Sequence, residues 1–503
     1  MSDMLKRALN ARVSDVLPSP TALDPAPNLS ARLHVSVLLK REDLTPIFSF
    51  KIRGAYNKIA LLSEAQRAAG VIAASAGNHA QGVAFAAARL GLRARIVMPQ
   101  TTPSIKVSAV RALGAVVELA GDDYSAAAEH CRQVAAETGM TPIPPYDDLD
   151  VIAGQATVGL EVLHQAPRTL GAVFVPVGGG GLAAGIASVV KELRPEIRVI
   201  GVQAEDSDAM ARSIAAKRRV TLDHVGIFAD GVAVKEIGVH TFDICRWALD
   251  DVVTVSTDEI CAAIQDAFED TRSVLEPAGA LSIAGLKRFV AAGSLAGGSA
   301  VAIASGANMN FLRLGYVTER AEVGEHREAI LAVTIPERPG SFLEFCRIVG
   351  QKSITEFNYR LATRAEAHIF VGLEVSGREE AAAIARRLET RGYPTVDLTE
   401  SDLAKTHVRY MVGGRAPEVA NEIVFAFEFP ERPGALLQFL STLGSRWNIS
   451  LFHYRNHGSA FGRVLCGFEA APGERDELLV LLRTLGFDHS EESGDPAVEL
   501  FLK

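Results

Sequence analysis

The sequence predicts a two-lobed α/β region followed by two small α+β domains of the ferredoxin-like kind. Three observations carry that reading: strand–helix alternation through the first 320 residues, a change of composition near Gly315, and an internal repeat beyond it. At 503 residues the chain is long enough for about three to five folding units. With 48% hydrophobic residues it can fill several cores, which excludes a disordered chain. A net charge of −9 argues against a nucleic-acid binder working through a basic face. The five cysteines form no CxxC, so a zinc knuckle or a disulfide framework is not expected, and a reducing cytoplasm fits. The first residues, MSDMLKRALNARVSDV, hold no apolar block of signal length. No run of about 18 apolar residues occurs, so no membrane span is expected.

The elements follow in order. GVIAAS (70–75) reads as a strand and HAQGVAFAAARLG (79–91) as a helix stopped by glycine. RARIVMP (93–99), SIKVSAVRALG (104–114), AVVELA (115–120) and a helix near 123–138 continue the alternation. A second set starts at AVFVPV (172–177), runs through the helical LAAGIASVVKELRP and returns at RVIGVQAE (198–205). Such alternation makes parallel sheets, and two sets imply two lobes with a cleft between them. The expected bounds are 1–318 for this region, with a small lobe at about 42–145 and the large lobe the rest.

Residues 319–328 read as a charged connector. Beyond it, AVTIPERPGSFLEFCRIVG (332–350) aligns with AFEFPERPGALLQFLSTLG (426–444), and FNYR (357–360) with FHYR (452–455). Each copy, expected at 329–410 and 420–503, reads as βαββαβ. Residues 321–503 contain 27 acidic and 20 basic side chains, so most of the negative charge lies here.

Four segments carry candidate chemistry. In SFKIRGAY (49–56), Lys51 stands between Phe50 and Ile52 at the start of a helix. Apolar surroundings destabilise an ammonium and free the amine as nucleophile and base, although a surface lysine is the blander reading. In SAGNHAQG (75–82), Ser75 and the amides before the helix suit a carboxylate, and Asn78 suits a phenolate-like oxygen; a capped βα turn is the alternative. In VPVGGGGLAAG (175–185), four glycines run into a helix and expose N–H groups to a phosphate. The same string satisfies G-x-G-x-x-A from Gly179 to Ala184, with Glu205 ending the next strand, so a nicotinamide dehydrogenase stays as a rival. In SGANMN (305–310), Ser305 follows an apolar strand and suits a ring nitrogen, or merely caps a helix. A lysine, a carboxylate turn, a phosphate cradle and a serine for a heterocyclic nitrogen are together the parts of a pyridoxal phosphate site.

With KREDLTPIFSFKIRGAY (40–56), SAGNHAQGVA (75–84), PPYDDLDVIAGQATVGLEVL (144–163), PVGGGGLAAG (176–185), EPAGA (276–280), SGANMN (305–310), LAVTIPERPGSF (331–342) and TEFNYR (355–360), the chain resembles the biosynthetic threonine deaminases (threonine ammonia-lyases). These are pyridoxal phosphate enzymes of the tryptophan-synthase-β-like class (fold type II) with paired ACT-like regulatory domains. The resemblance implies that Lys51 is the Schiff-base lysine and that Asn78 binds the cofactor's ring oxygen. It implies that Gly178, Gly179, Gly180, Gly181 and Leu182 hold the phosphate and that Ser305 meets the pyridine nitrogen. Ser75, Ala76, Gly77, Asn78 and His79 would receive the substrate carboxylate. It further implies L-threonine (and L-serine) as substrate, 2-oxobutanoate and ammonia as products, and the first step of isoleucine biosynthesis. Isoleucine is the implied inhibitor, valine the opposing effector, and a homotetramer the assembly. Tyr359 and Tyr454, at matching places in the two copies, are the candidate effector contacts. A serine dehydratase or racemase of the same fold is the alternative, and the C-terminal duplication argues against it. Related serine racemases bind a divalent cation in the segment matching Gln203–Ala209. Gln203 and Ala209 replace the acidic ligands here, so no metal site of this kind is expected; Glu205, Asp206 and Asp208 lie close by and read as a solvated acidic loop in preference to a cation site.

Overall fold

The computed structural model describes residues 1–295, 298–411, 414–430, 434–444, 446–455 and 461–502. The chain divides into two compact units, Met1–Ala321 and Glu322–Lys503.

The first unit holds two sheets. The larger has six strands in the order Leu23–Pro25, Ser36–Arg41, Ser299–Ala304, Leu170–Pro176, Arg198–Ala204, Asp251–Val255. Only the first pair is antiparallel. Both faces are covered, which explains the unbroken apolar runs of these strands. Alternate residues enter opposite cores: Ala172 and Phe174 pack with helix Pro277–Ala291, while Val173 and Val175 pack with helices Leu149–Gln165 and Gly181–Leu193. The smaller sheet is wholly parallel, in the order Val116–Leu119, Ala94–Met98, Val71–Ala74, Thr141–Pro142. Helix Asn78–Arg89 covers one face and helix Tyr124–Thr138 the other.

This topology gathers the candidate chemistry. Ser75 follows Ala74, Gly178 follows Pro176, and Ser305 follows Ala304, each just past the carboxyl end of a parallel strand. Lys51 opens helix Lys51–Ala60 ten residues after strand Ser36–Arg41 ends. Ligands of open parallel sheets bind outside those strand ends.

The second unit realises the repeat. Its first copy runs Glu328–Pro336, Ser341–Val349, Ile354–Arg360, Glu366–Glu374, Arg378–Thr390, Thr395–Asp397, which is βαββαβ. The second copy repeats the order from Glu422–Pro430 to His489–Glu491. The copies share one eight-stranded sheet, joined where Ile354–Arg360 pairs antiparallel with Asn448–Arg455. Equivalent buried carboxylates brace that sheet: Thr355 donates to Glu328, and Ser450 donates to Glu422. The segment read as a connector, 319–328, is not an open loop. Helix Arg313–Gly324 fills its first half and strand Glu328–Pro336 begins at its last residue. Residues 431–433 of the second PERPG string lie outside the described residues.

Candidate active site

Two turns are stitched together at the base of the site. The Phe50 amide donates to Ser305 O at 3.2 Å and the Ala307 amide to Phe48 O at 2.9 Å. Ser49, between them, is held through its backbone by the Thr45 hydroxyl, with both bonds at 2.9 Å. Lys51 and Ser305 are therefore placed by one piece of backbone pairing. The helix behind Lys51 lies close against helix Leu149–Gln165: a Cβ on Gly154 would stand 2.6 Å from Arg53 O. On the same helix, the fully buried Arg53 binds Glu42 and Glu161 in a network that also takes in Lys40.

Lys51, Asn78, Gly178–Gly181, Leu182 and Ser305 line one cavity, together with Tyr146, Glu276 and Val232. The surface-lysine reading of Lys51 fails. Its amine donates to Pro145 O at 2.7 Å, and burial lowers its pKa to about 8 against the opposing pull of Glu276. Asn78 opens helix Asn78–Arg89 and donates to Glu276 at 2.6 Å, while its carbonyl oxygen accepts from Asn308 at 2.8 Å. Ser305 caps no helix. Its hydroxyl makes a long bond of 3.3 Å to Ala278 O, which it can exchange for a ring nitrogen. Of the loop Ser75–His79, the His79 ring is buried and bonds Ile143 O at 2.8 Å. Burial, with Lys51 nearby, pulls its pKa down to about 3, so it is a neutral structural group.

Pyridoxal phosphate fits these residues. Gly180 has φ +96° and precedes helix Gly181–Leu193, whose first N–H groups meet no capping side chain. The neighbouring glycines are forced by close approach: a Cβ on Gly179 would fall 2.3 Å from the Tyr146 ring. That leaves a bare backbone cradle suited to phosphate, with an amine and a hydroxyl elsewhere in the same cavity. Glu205, the acidic residue of the dinucleotide alternative, is half-exposed and pairs with Arg288 at 3.0 Å.

Sequence reasoning missed Glu276, Tyr146, Asn308 and the Pro145 carbonyl. PPYDDLD and EPAGA appeared only as matching strings, and no local pattern announces that their side chains enter a cavity. In the Gln203–Ala209 segment, Gln203 is buried, donates to Val177 O and Ser207 O, and accepts from the Ala211 amide. Its amide does structural work where a cation ligand would stand. Tyr359 donates to Glu337 at 2.5 Å, and Tyr454 lines a cavity between the two copies of the repeat.

Comparison with known proteins agrees with this geometry. The pyridoxal-phosphate dependent enzyme family matches residues 16–306, and the C-terminal regulatory domain of threonine dehydratase matches twice, at 319–408 and 413–502. The biosynthetic L-threonine dehydratase IlvA of Burkholderia multivorans is 56% identical over 99% of both chains. That of Escherichia coli is 52% identical over 100% of this chain and 97% of its own. The solved processed form of threonine deaminase isoform 2 from Solanum lycopersicum is 45% identical, with a TM-score of 0.62 over 64% of this chain and 88% of that one. A lysine, a glycine cradle and a serine converging in one cavity, ahead of a duplicated regulatory unit, place this chain in the pyridoxal-phosphate dependent threonine dehydratase family.

Proposed function

We propose that the chain deaminates L-threonine to 2-oxobutanoate and ammonia, as the first and regulated step of isoleucine biosynthesis. One observation carries the reading: the cofactor cavity and the duplicated threonine dehydratase regulatory domain occur in one chain, aligned end to end with proteins named for that reaction. The bound cofactor supplies an electron sink for the charge left at the substrate α-carbon. The protein supplies the rest. Lys51, with its lowered pKa, takes the α-proton as general base. The free amides at the start of helix Asn78–Arg89 hold the substrate carboxylate. The glycine loop anchors the phosphate. Ser305, a neutral hydroxyl, leaves the pyridine nitrogen without a full charge partner, which favours loss of the β-hydroxyl over transamination. L-serine lacks one methyl group, a difference worth about 1–3 kcal/mol, and is the expected second substrate.

Isoleucine is the proposed inhibitor and valine its antagonist, acting on the second unit. The cavity beside Tyr454 offers what an aliphatic amino acid needs. Val349, Leu436, Leu437 and Phe452 are apolar, Lys352 and Glu374 carry opposite charges, and helix Ala435–Leu443 begins at its wall. In the first copy, Ser341 opens the equivalent helix with a buried hydroxyl that finds no hydrogen-bond partner among the described residues. A homotetramer in the cytoplasm completes the proposal. No helix among the described residues is long and apolar enough to cross a membrane. The test is the Lys51→Ala variant loaded with cofactor and given L-threonine. It should retain the phosphate-anchored cofactor and release no ketoacid; normal turnover would refute the assignment.

A further inference from the structure

We propose that Glu276 is a positioning residue of this site: its carboxyl, held against the Asn78 amide that Asn308 orients, sets the charge beside the cofactor's ring oxygen. The inference rests on the reading of Asn78 as the partner of that oxygen. The geometry is a chain of three side chains. Asn308 donates to Ile47 O at 2.7 Å and to the Asn78 carbonyl oxygen at 2.8 Å. That fixes which end of the Asn78 amide carries the N–H groups. One of them donates to Glu276 at 2.6 Å, and the other is left for the cofactor. Glu276 is 5% exposed and lines the cavity that holds Lys51. It is packed tightly enough that a Cβ on Gly306 would stand 2.5 Å from its carboxylate.

A buried carboxyl in that position exists in two forms with opposite effects. Neutral Glu276 tolerates a negative ring oxygen. Ionised Glu276 repels it. Burial pushes the Glu276 pKa up to about 7 and Asp230 adds to the rise, while the Asn78 bond, Lys106 and Arg313 oppose it. Lys51 faces it across the cavity. Lys106, on helix Ser104–Ala112, and Arg313 both reach Asp230, at 2.7 and 3.4 Å. His79 stays neutral and contributes no charge.

The sign follows. Glu276 is neutral below about pH 7, so the yellow, charge-separated form of the bound cofactor is favoured there. It should fade as pH rises through that value. The test is a pH titration of the visible absorption band of holoenzyme, without substrate, for wild type, Glu276→Gln and Lys106→Met. Wild type should show a midpoint near 7. Glu276→Gln, neutral at every pH, should stay yellow throughout. Lys106→Met, which removes a cation that stabilises the carboxylate, should move the midpoint upward. It also serves if the Gln variant fails to fold. A wild-type midpoint retained in Glu276→Gln, an unmoved midpoint in Lys106→Met, or a wild-type band that does not titrate across neutral pH would overturn the proposal. No visible band at any pH would instead overturn the cofactor reading itself.

Discussion

At the scale of the residue, Lys51 shows how burial makes a nucleophile. Its pKa of about 8 leaves about one-tenth of the amine unprotonated at pH 7, where an exposed lysine offers less than about one-thousandth. Loading of cofactor-free protein should therefore speed up as pH rises and level off above about 8, followed by the growth of the visible band. A rate that keeps climbing toward about pH 10 would mean an ordinary lysine. Arg53, two residues on, shows the opposite use of burial. Its guanidinium is fully buried, and the Glu42 and Glu161 carboxylates hold it charged. Arg53→Met would leave those carboxylates short of a cation under the lysine-bearing helix. The expected loss is about 3–5 kcal/mol in urea unfolding. A loss below about 1 kcal/mol would show that the network is dispensable.

At the scale of the element, the glycine loop is the most constrained piece. Gly180 has φ +96°, and a Cβ there would meet Met210 Cε at 2.8 Å and Thr241 Cβ at 2.9 Å. Gly180→Ala should cost at least about 1–2 kcal/mol from the left-handed backbone alone. It should also weaken cofactor binding more than substrate binding, as read by equilibrium dialysis and KM. The loop itself was legible in the sequence, because four glycines between an apolar strand and a helix have few other uses. Strand and helix positions were equally legible: GVIAAS gave Val71–Ala74, and the helix expected near 123–138 is Tyr124–Thr138. What the loop packs against was not legible. Tyr146 covers Gly179, and Asp147 accepts from the amides opening helix Val239–Ala248, yet PPYDDLD has no periodicity that forecasts either contact. Nor does KRED announce that Lys40 and Glu42 are buried: Lys40 pairs with Glu161, over a hundred residues away, and both carboxylates share Arg53. Charge pairing across such distances leaves no local trace.

At the scale of the whole molecule, the repeat was readable and its joining was not. PERPG and F-x-Y-R mark two βαββαβ copies, but nothing in either copy states that Ile354–Arg360 will pair with Asn448–Arg455. One continuous sheet makes the second unit a single body, so an effector bound to one copy can be felt by the other. Allosteric control requires isoleucine to bind one global state of the enzyme more tightly than the other. A chain ending at Ala321 should keep threonine turnover and lose its response to isoleucine in a steady-state assay. An inactive truncation would mean that the second unit is needed for folding or assembly.

The measurement that tests the central claim most directly is the visible absorption spectrum of the purified protein, recorded before and after adding L-threonine, with the released ketoacid identified. The account predicts a yellow cofactor band that changes on adding threonine, together with 2-oxobutanoate in step with ammonia. A protein that shows no such band after incubation with pyridoxal phosphate, or a band that threonine leaves unchanged with no ketoacid formed, would contradict it.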